Sequence, residues 1–153
     1  MENRPIIDLR NISVEFDGEM ILKNFNLYIK DGEFVTLLGP SGCGKTTTLR
    51  IIGGFIKPNS GDVLFNGKRI NDLPAHKRTV NTIFQKYALF PHLNVYENIA
   101  FGMRIQKKSE SEIRETVKEM LRMVNLSDFS NRNINSLSGG QQQRIAIARA
   151  LAN

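Results

Sequence analysis

The chain has 153 residues, 41% of them hydrophobic and 24% charged, the balance of an ordinary globular protein large enough for a real core. No apolar run approaches the about 20 residues that a membrane-spanning helix needs, and residues 1–5 lack the apolar stretch of a secretory signal. Cys43 is the only cysteine, which excludes an intramolecular disulfide and suits a reducing compartment, while the net charge of +6 favours an anionic partner or a plain solvated basic surface.

The opening reads as β structure. Ile12, Val14 and Phe16 alternate with polar residues, Asp17-Gly18 is a turn signal, and Phe25, Leu27 and Ile29 alternate again. Residues 34–38, FVTLL, form a short unbroken apolar run, the signature of a strand buried on both faces. A glycine-rich segment follows, then a helix carrying Leu49 and Ile52 that Gly53-Gly54 should end. VLFNG at 63–67 predicts a strand running into a turn, and TVNTIF at 79–84 predicts another strand. After Gln85 the pattern turns helical. Asn94 and Glu97 have the spacing of a helix start, with Val95, Ile99 and Met103 on one face. Ser109 and Glu112 predict a capping box ahead of an apolar stripe of Ile113, Val117, Met120, Leu121 and Val124. Residues 127–136 are a polar connector, and LSGG at 137–140 opens a last helix. Met103, Met120 and Met123 read as core filler, and Cys43 as a small packed residue.

Residues 39–46, GPSGCGKT, fit the pattern G-x-x-x-x-G-K-[ST]. Gly39, Gly42 and Gly44 let the backbone curl so that its N–H groups converge on phosphate oxygens, with Pro40, Ser41 and Cys43 filling the free positions. Lys45 adds a mobile charge for the outer phosphates, the Thr46 hydroxyl can ligate Mg²⁺, and the helix beginning here turns its positive end to the same anion. Ser138 as a helix N-cap with Gly139 and Gly140 has the makings of a second anion nest. The acid-free stretches, between Glu33 and Asp62, between Asp72 and Glu97, and after Asp128, surround both nests.

LSGGQQQRIAIARAL, from Leu137 onward, resembles the signature sequence of ABC-transporter ATP-binding subunits. Residues 81–107 are similar to those subunits in bacterial polyamine (spermidine/putrescine) importers, and the likeness runs over nearly the whole chain. The resemblance implies an α/β P-loop NTPase fold of the ABC type: a parallel core, an N-terminal antiparallel β section and an inserted α-helical subdomain. It implies a division into residues 1–85 (β section and P-loop), 86–137 (helical subdomain) and 138–153 (signature helix). Phe16 falls where these subunits stack an aromatic on adenine, though it also fits the Ile12/Val14 alternation. Lys45, Thr46 and Thr47 fall on phosphate and metal contacts, and Gln85 on the glutamine that touches Mg²⁺ or the attacking water. Ser138, Gly139, Gly140 and Gln141 fall on the signature that caps the ATP held by a partner subunit.

Further expectations follow from the resemblance. The cofactors are ATP and Mg²⁺. The partners are a second ATP-binding subunit in a head-to-tail homodimer, membrane permease subunits, and a solute-binding protein reached through them, with no nucleic acid. The place of action is the cytoplasmic face of the cell membrane, peripherally. In the family the strand after the signature helix carries a metal-holding aspartate and the general-base glutamate, and a switch histidine follows. The 153 residues contain no acid after Asp128, and neither His76 nor His92 is placed as the switch. The sequence is therefore expected to be the front of a longer ATPase, truncated before that strand and hydrolytically inactive alone. The strands at 34–38 and 79–84 would then each expose an unpaired edge, to be filled by another copy or left loosely ordered. The alternatives are a soluble ABC-type ATPase acting on DNA or ribosomes, and a truncated paralogue that only binds nucleotide.

Overall fold

The computed structural model describes residues 5–84 and 87–153. They form two compact units, one ending at Val80 and the other beginning at Asn81. Each has its own apolar cluster.

In the first unit four antiparallel strands lie in the order β2-β1-β3-β4: β1 (Ile7–Phe16), β2 (Glu19–Ile29), β3 (Ser60–Phe65) and β4 (Lys68–Arg69). The β1–β2 turn is made by Asp17 and Gly18, both at positive φ (48° and 83°), as a two-residue hairpin turn matching the strand twist requires. Asn66 and Gly67 repeat the device between β3 and β4. Along β1 the buried residues are Ile7 and Leu9, then Ile12 and Val14. The change of parity is produced by a bulge between Leu9 and Ile12, where Asn11 takes φ 50°. Gly61 of β3 answers it: at φ 91°, a Cβ there would lie 2.4 Å from the Arg10 carbonyl oxygen. Only glycine allows the two backbones to close over the bulge.

Helix α1 (Lys45–Ile52) packs Ile51 into the sheet's cluster and stops at Gly53, with Gly54 in the left-handed region, as the sequence predicts. Its C-terminus is tied down by Arg78. That buried guanidinium donates to the carbonyls of Ile51 (2.7 Å) and Ile52 (2.9 Å), and also to those of Ile70 (2.8 Å) and Leu73 (2.8 Å). A cation at a helix C-terminus meets the negative end of the dipole. Burial lowers the Arg78 pKa without threatening its charge.

The predicted strands at 34–38 and 79–84 are not strands. Among the described residues neither segment has a ladder partner, and Phe34 (93% exposed) and Leu38 (87%) stand in solvent. An apolar run makes a buried strand only where a neighbour accepts its backbone hydrogen bonds, and the four described strands supply none.

The second unit contains α2 (Val95–Ile105), α3 (Glu110–Met123) and α4 (Gly139–Leu151). Asn94 caps α2 by accepting from the Glu97 N–H at 2.8 Å. The predicted capping box of α3 is half made. The Ser109 hydroxyl accepts from the Glu112 N–H, but the Glu112 carboxylate binds the Lys108 ammonium at 2.8 Å instead of reaching back. Val95, Ile99, Met103, Ile113, Val117 and Ile145 meet in a sealed centre. Met103 and Met120 are core residues, as read from the sequence; Met123 is not, being exposed between the stripe residues Leu121 and Val124.

Candidate functional site

The loop from Gly39 to Lys45 is the best-formed polar feature of the first unit. Gly39 (φ 152°), Gly42 (φ 85°) and Gly44 (φ 89°) all take left-handed backbone that side chains rarely adopt. Two of them also have a side chain packed close against them. A Cβ on Gly39 would lie 2.6 Å from the Cys43 Sγ, and one on Gly44 would lie 2.7 Å from the Leu22 Cδ2. Gly44 is the N-cap of α1, which has no side-chain cap and no acidic residue in its first turn. The leading N–H groups of that helix therefore face the loop with the helix dipole behind them. Thr48, buried, donates its hydroxyl to the Gly44 carbonyl at 3.0 Å and pins the turn from inside.

Lys45 Nζ donates to the carbonyls of Gly39 (2.7 Å) and Pro40 (2.6 Å), and lies 3.3 Å from the Cys43 Sγ. The loop thus arches over its own lysine, holding the ammonium inside the ring of backbone. Cys43 is exposed, correcting its reading as a packed residue; the φ of its glycine neighbours turns it outward onto Lys45. Thr46 is exposed and Thr47 partly buried. Ser41 is exposed in the same turn.

Phe16 ends β1 opposite Glu19, at the tip of the hairpin. Ile12 and Val14 are fully buried, yet Phe16 is 44% exposed, so the alternation that hides its predecessors does not hide it. Val14 pairs with Leu22, the side chain that a Cβ on Gly44 would meet. The exposed ring therefore sits two residues along the hairpin from the strand position that backs the loop.

In the second unit Ser138 is the N-cap of α4, in a complete capping box. Its hydroxyl accepts from the Gln141 N–H (3.3 Å), and its own N–H donates to the Gln141 Oε1 (2.9 Å). Nothing lies within 4 Å of where a Cβ on Gly139 or Gly140 would be. Glycine costs roughly 1 kcal/mol per helical position relative to alanine. No described neighbour requires glycine at either position. Gln85 lies outside the described residues, and its expected contact goes with it.

Sequence reasoning missed the inward-turned arginines. Arg149, in the last turn of α4, donates to the carbonyls of Tyr87 (3.0 Å) and Ala88 (2.8 Å) and covers the Phe90 ring at 5.4 Å. Arg78 does comparable work below α1. Neither has a sequence signal that separates it from a surface cation.

The residues of the loop fit a bound nucleotide: a left-handed cradle that a Cβ would fill, a lysine within it, and a helix N-terminus behind it. Among the described residues no cluster of three His, Cys, Asp or Glu could cage a metal, so an Mg²⁺ here would be held by phosphates and a hydroxyl such as Thr46. Fold and loop together define the P-loop nucleotide-binding class. Residues 22–153 match the ABC transporter family, and the chain belongs to that family. It is 62% identical over 148 residues to the spermidine/putrescine import ATP-binding protein PotA of Clostridium novyi (strain NT), covering 97% of this chain and 43% of that protein. It is 60% identical over 153 residues to the PotA of Acetivibrio thermocellus, covering 100% of this chain and 44% of that one. The chain thus spans less than half the length of these curated relatives. Among solved structures, the dimeric MJ0796, a bacterial ABC transporter cassette, aligns with a TM-score of 0.85 at 41% identity, over 96% of this chain and 69% of that one. CbiO1 from Clostridium perfringens, part of the cbiONQ transporter complex, aligns at 0.85 and 31% identity, over 97% and 62%.

Proposed function

We propose that this chain carries the nucleotide-binding loop and the signature of an ATP-binding subunit that drives polyamine import. The observation that carries the reading is the Gly39–Lys45 cradle, where three left-handed glycines shape a loop whose Gly39 and Pro40 carbonyls hold the Lys45 ammonium at the head of α1. Its backbone N–H groups and Lys45 bind the phosphates. Thr46, with Gln85, holds Mg²⁺; Thr47 adds a phosphate contact. Phe16, exposed at the hairpin tip, stacks on the adenine. Bound MgATP supplies a γ-phosphate whose hydrolysis yields the free energy for transport. Orientation and charge neutralisation are what these residues contribute to that transfer.

Ser138, Gly139, Gly140 and Gln141 face the ATP of a second copy, in a head-to-tail dimer. The open space over both glycines supports this role. The solute assignment is supported by the names of the relatives, which are spermidine/putrescine import proteins at about 60% identity. Permease subunits, and through them a solute-binding protein, complete the machine on the cytoplasmic face of the membrane. No helix among the described residues is long and apolar enough to cross it.

Calorimetry tests the site. The chain should bind MgATP, and Lys45→Ala should lower the affinity by about a hundredfold, ~2.7 kcal/mol. Equal affinities would overturn the assignment. For the solute, cells with Lys45→Ala at the native locus should lose uptake of labelled spermidine while other uptake systems persist.

A further inference from the structure

Helix α1 is attached to its unit by little apolar packing. Of its eight residues only Thr48 and Ile51 are buried, and Leu49 is 54% exposed. Ile51 enters the sheet's cluster as a single apolar plug, and one plug leaves a short rod free to rock about it. The rod is about 12 Å long and carries the phosphate loop at its head, so what holds its foot decides where the loop points. At the head, the Leu22 side chain of β2 lies close against Gly44. At the foot stands Arg78.

Its guanidinium is divided between two groups of carbonyls. Nη1 donates to Ile51 (2.7 Å) and Ile52 (2.9 Å) at the end of the helix. Nη2 donates to Ile70 (2.8 Å) and Asn71 (3.4 Å), and Nε to Leu73 (2.8 Å), in the turn that follows β4. That turn is itself fastened to β3. The buried Asn71 side chain accepts from the Val63 N–H at 2.8 Å and donates to the Gly61 carbonyl at 2.9 Å. The niche is shaped around the cation: a Cβ on Gly54, which stands at φ 79°, would lie 2.5 Å from Arg78 Nε. Among the described residues the hydrogen-bond acceptors of Arg78 are all carbonyl oxygens, so it serves as a bridge and not as half of an ion pair. A lysine ammonium, a point charge without the planar fork, could not span both groups.

We infer that Arg78 is a positioning residue for the phosphate loop: by bridging the end of α1 to the turn fastened on β3, it fixes the direction in which the loop and the head of α1 present their N–H groups. An anion is held by the alignment of those groups, so each excursion of the helix takes the loop out of its binding form. The inference rests on the reading of residues 39–46 as a nucleotide phosphate site.

The test is calorimetry with MgATP and amide exchange on the whole chain, at a temperature where each variant is folded. In Arg78→Met the amides of residues 45–52 should exchange about tenfold faster. Affinity should fall about tenfold, as when the aligned form drops to about a tenth of the population. Arg78→Lys keeps a cation at the helix end without the bridge, and should lose only about threefold. Ile7→Ala weakens the same unit through its apolar cluster, leaves every bond of Arg78 in place, and should keep the wild-type affinity. Unchanged affinity in Arg78→Met would overturn the positioning role. So would an equal loss in Ile7→Ala, because the effect would then be one of stability alone. If Arg78→Met does not fold, Arg78→Lys decides: wild-type affinity and exchange in that variant would overturn the inference. If the wild-type chain binds no nucleotide, the proposed function falls instead, and exchange at 45–52 still decides whether Arg78 fixes α1.

Discussion

The two units solve the same problem unequally. The helical unit closes on itself: three helices from one short stretch of chain bury Ile99, Met103, Ile113 and Ile145 completely. Its most exposed apolar residues, Ile105, Met123 and Leu151, are the last residues of their helices. The first unit leaves apolar residues outside any helix or strand: Phe34 and Leu38 are almost wholly exposed. A helix satisfies its own backbone and needs only a partner for its stripe. A strand needs neighbours for its hydrogen bonds as well, and those can lie far away in sequence. Local contact therefore makes one unit self-sufficient, and non-local pairing leaves the other asking for more.

If the units are independent, damage should stay where it is made. The largest effect is expected from Ile99→Ala in the sealed helical centre, a loss of about 3–4 kcal/mol because nothing nearby is free to collapse into the hole. Exchange-detected denaturation should show α2, α3 and α4 weakened and β1–β3 untouched. If the sheet loosens as well, the comparison is wrong and the units are one cooperative body.

The reciprocal experiment is Gly61→Ala. The new Cβ would lie 2.4 Å from the Arg10 carbonyl oxygen and 2.5 Å from that of Asn11, at a φ of 91°. Backbone cannot yield as a side-chain tip does, so the bulge must open, at about 2 kcal/mol. Protection should fall on β1 and β3 alone. A variant as stable as the parent would show that the bulge is not held by this close approach.

The legibility of the sequence follows the same division. Elements specified by neighbours in the chain were readable: the Asp17-Gly18 turn, the Asn94 cap of α2, the α3 stripe, the Gly53-Gly54 stop and the Ser138 cap. The left-handed curl of the loop at 39–45 was readable for the same reason, since its glycines lie close together in the sequence. Residues 34–38 were misread because composition reports that a segment is apolar, not whether a partner strand stands beside it. Arg78 and Arg149 were invisible because their partners are carbonyl oxygens, which every residue has. Their positions carry no acid, no spacing and no motif. Net charge was read as a field around the chain, yet two of its arginines are turned inward to hold helix ends and loops.

The smallest expected effect sharpens the comparison by confining a pH response to the first unit. Asp72 accepts from Lys57 Nζ at 2.5 Å and from Arg69 at 2.8 Å. The Lys57 hydrogen bond first, and the Arg69 one next, hold its carboxyl below the ordinary value of 3.8. A folded-state pKa below the unfolded one means the unfolded chain binds more protons in that window. The contribution is therefore full above about pH 4–5 and disappears as the pH falls through the folded value. All three side chains are exposed, so the effect is modest and screened by salt. Asp72→Asn should lower the midpoint of the first unit slightly at about pH 6 in low salt, and the difference should shrink in acid as the wild-type carboxyl takes up its proton. The helical unit should be indifferent to the substitution at both. A difference that survives in acid would mean that Asp72 acts by packing or by a neutral hydrogen bond. A difference that appears in the helical unit would join the two regions electrostatically and undo their separation.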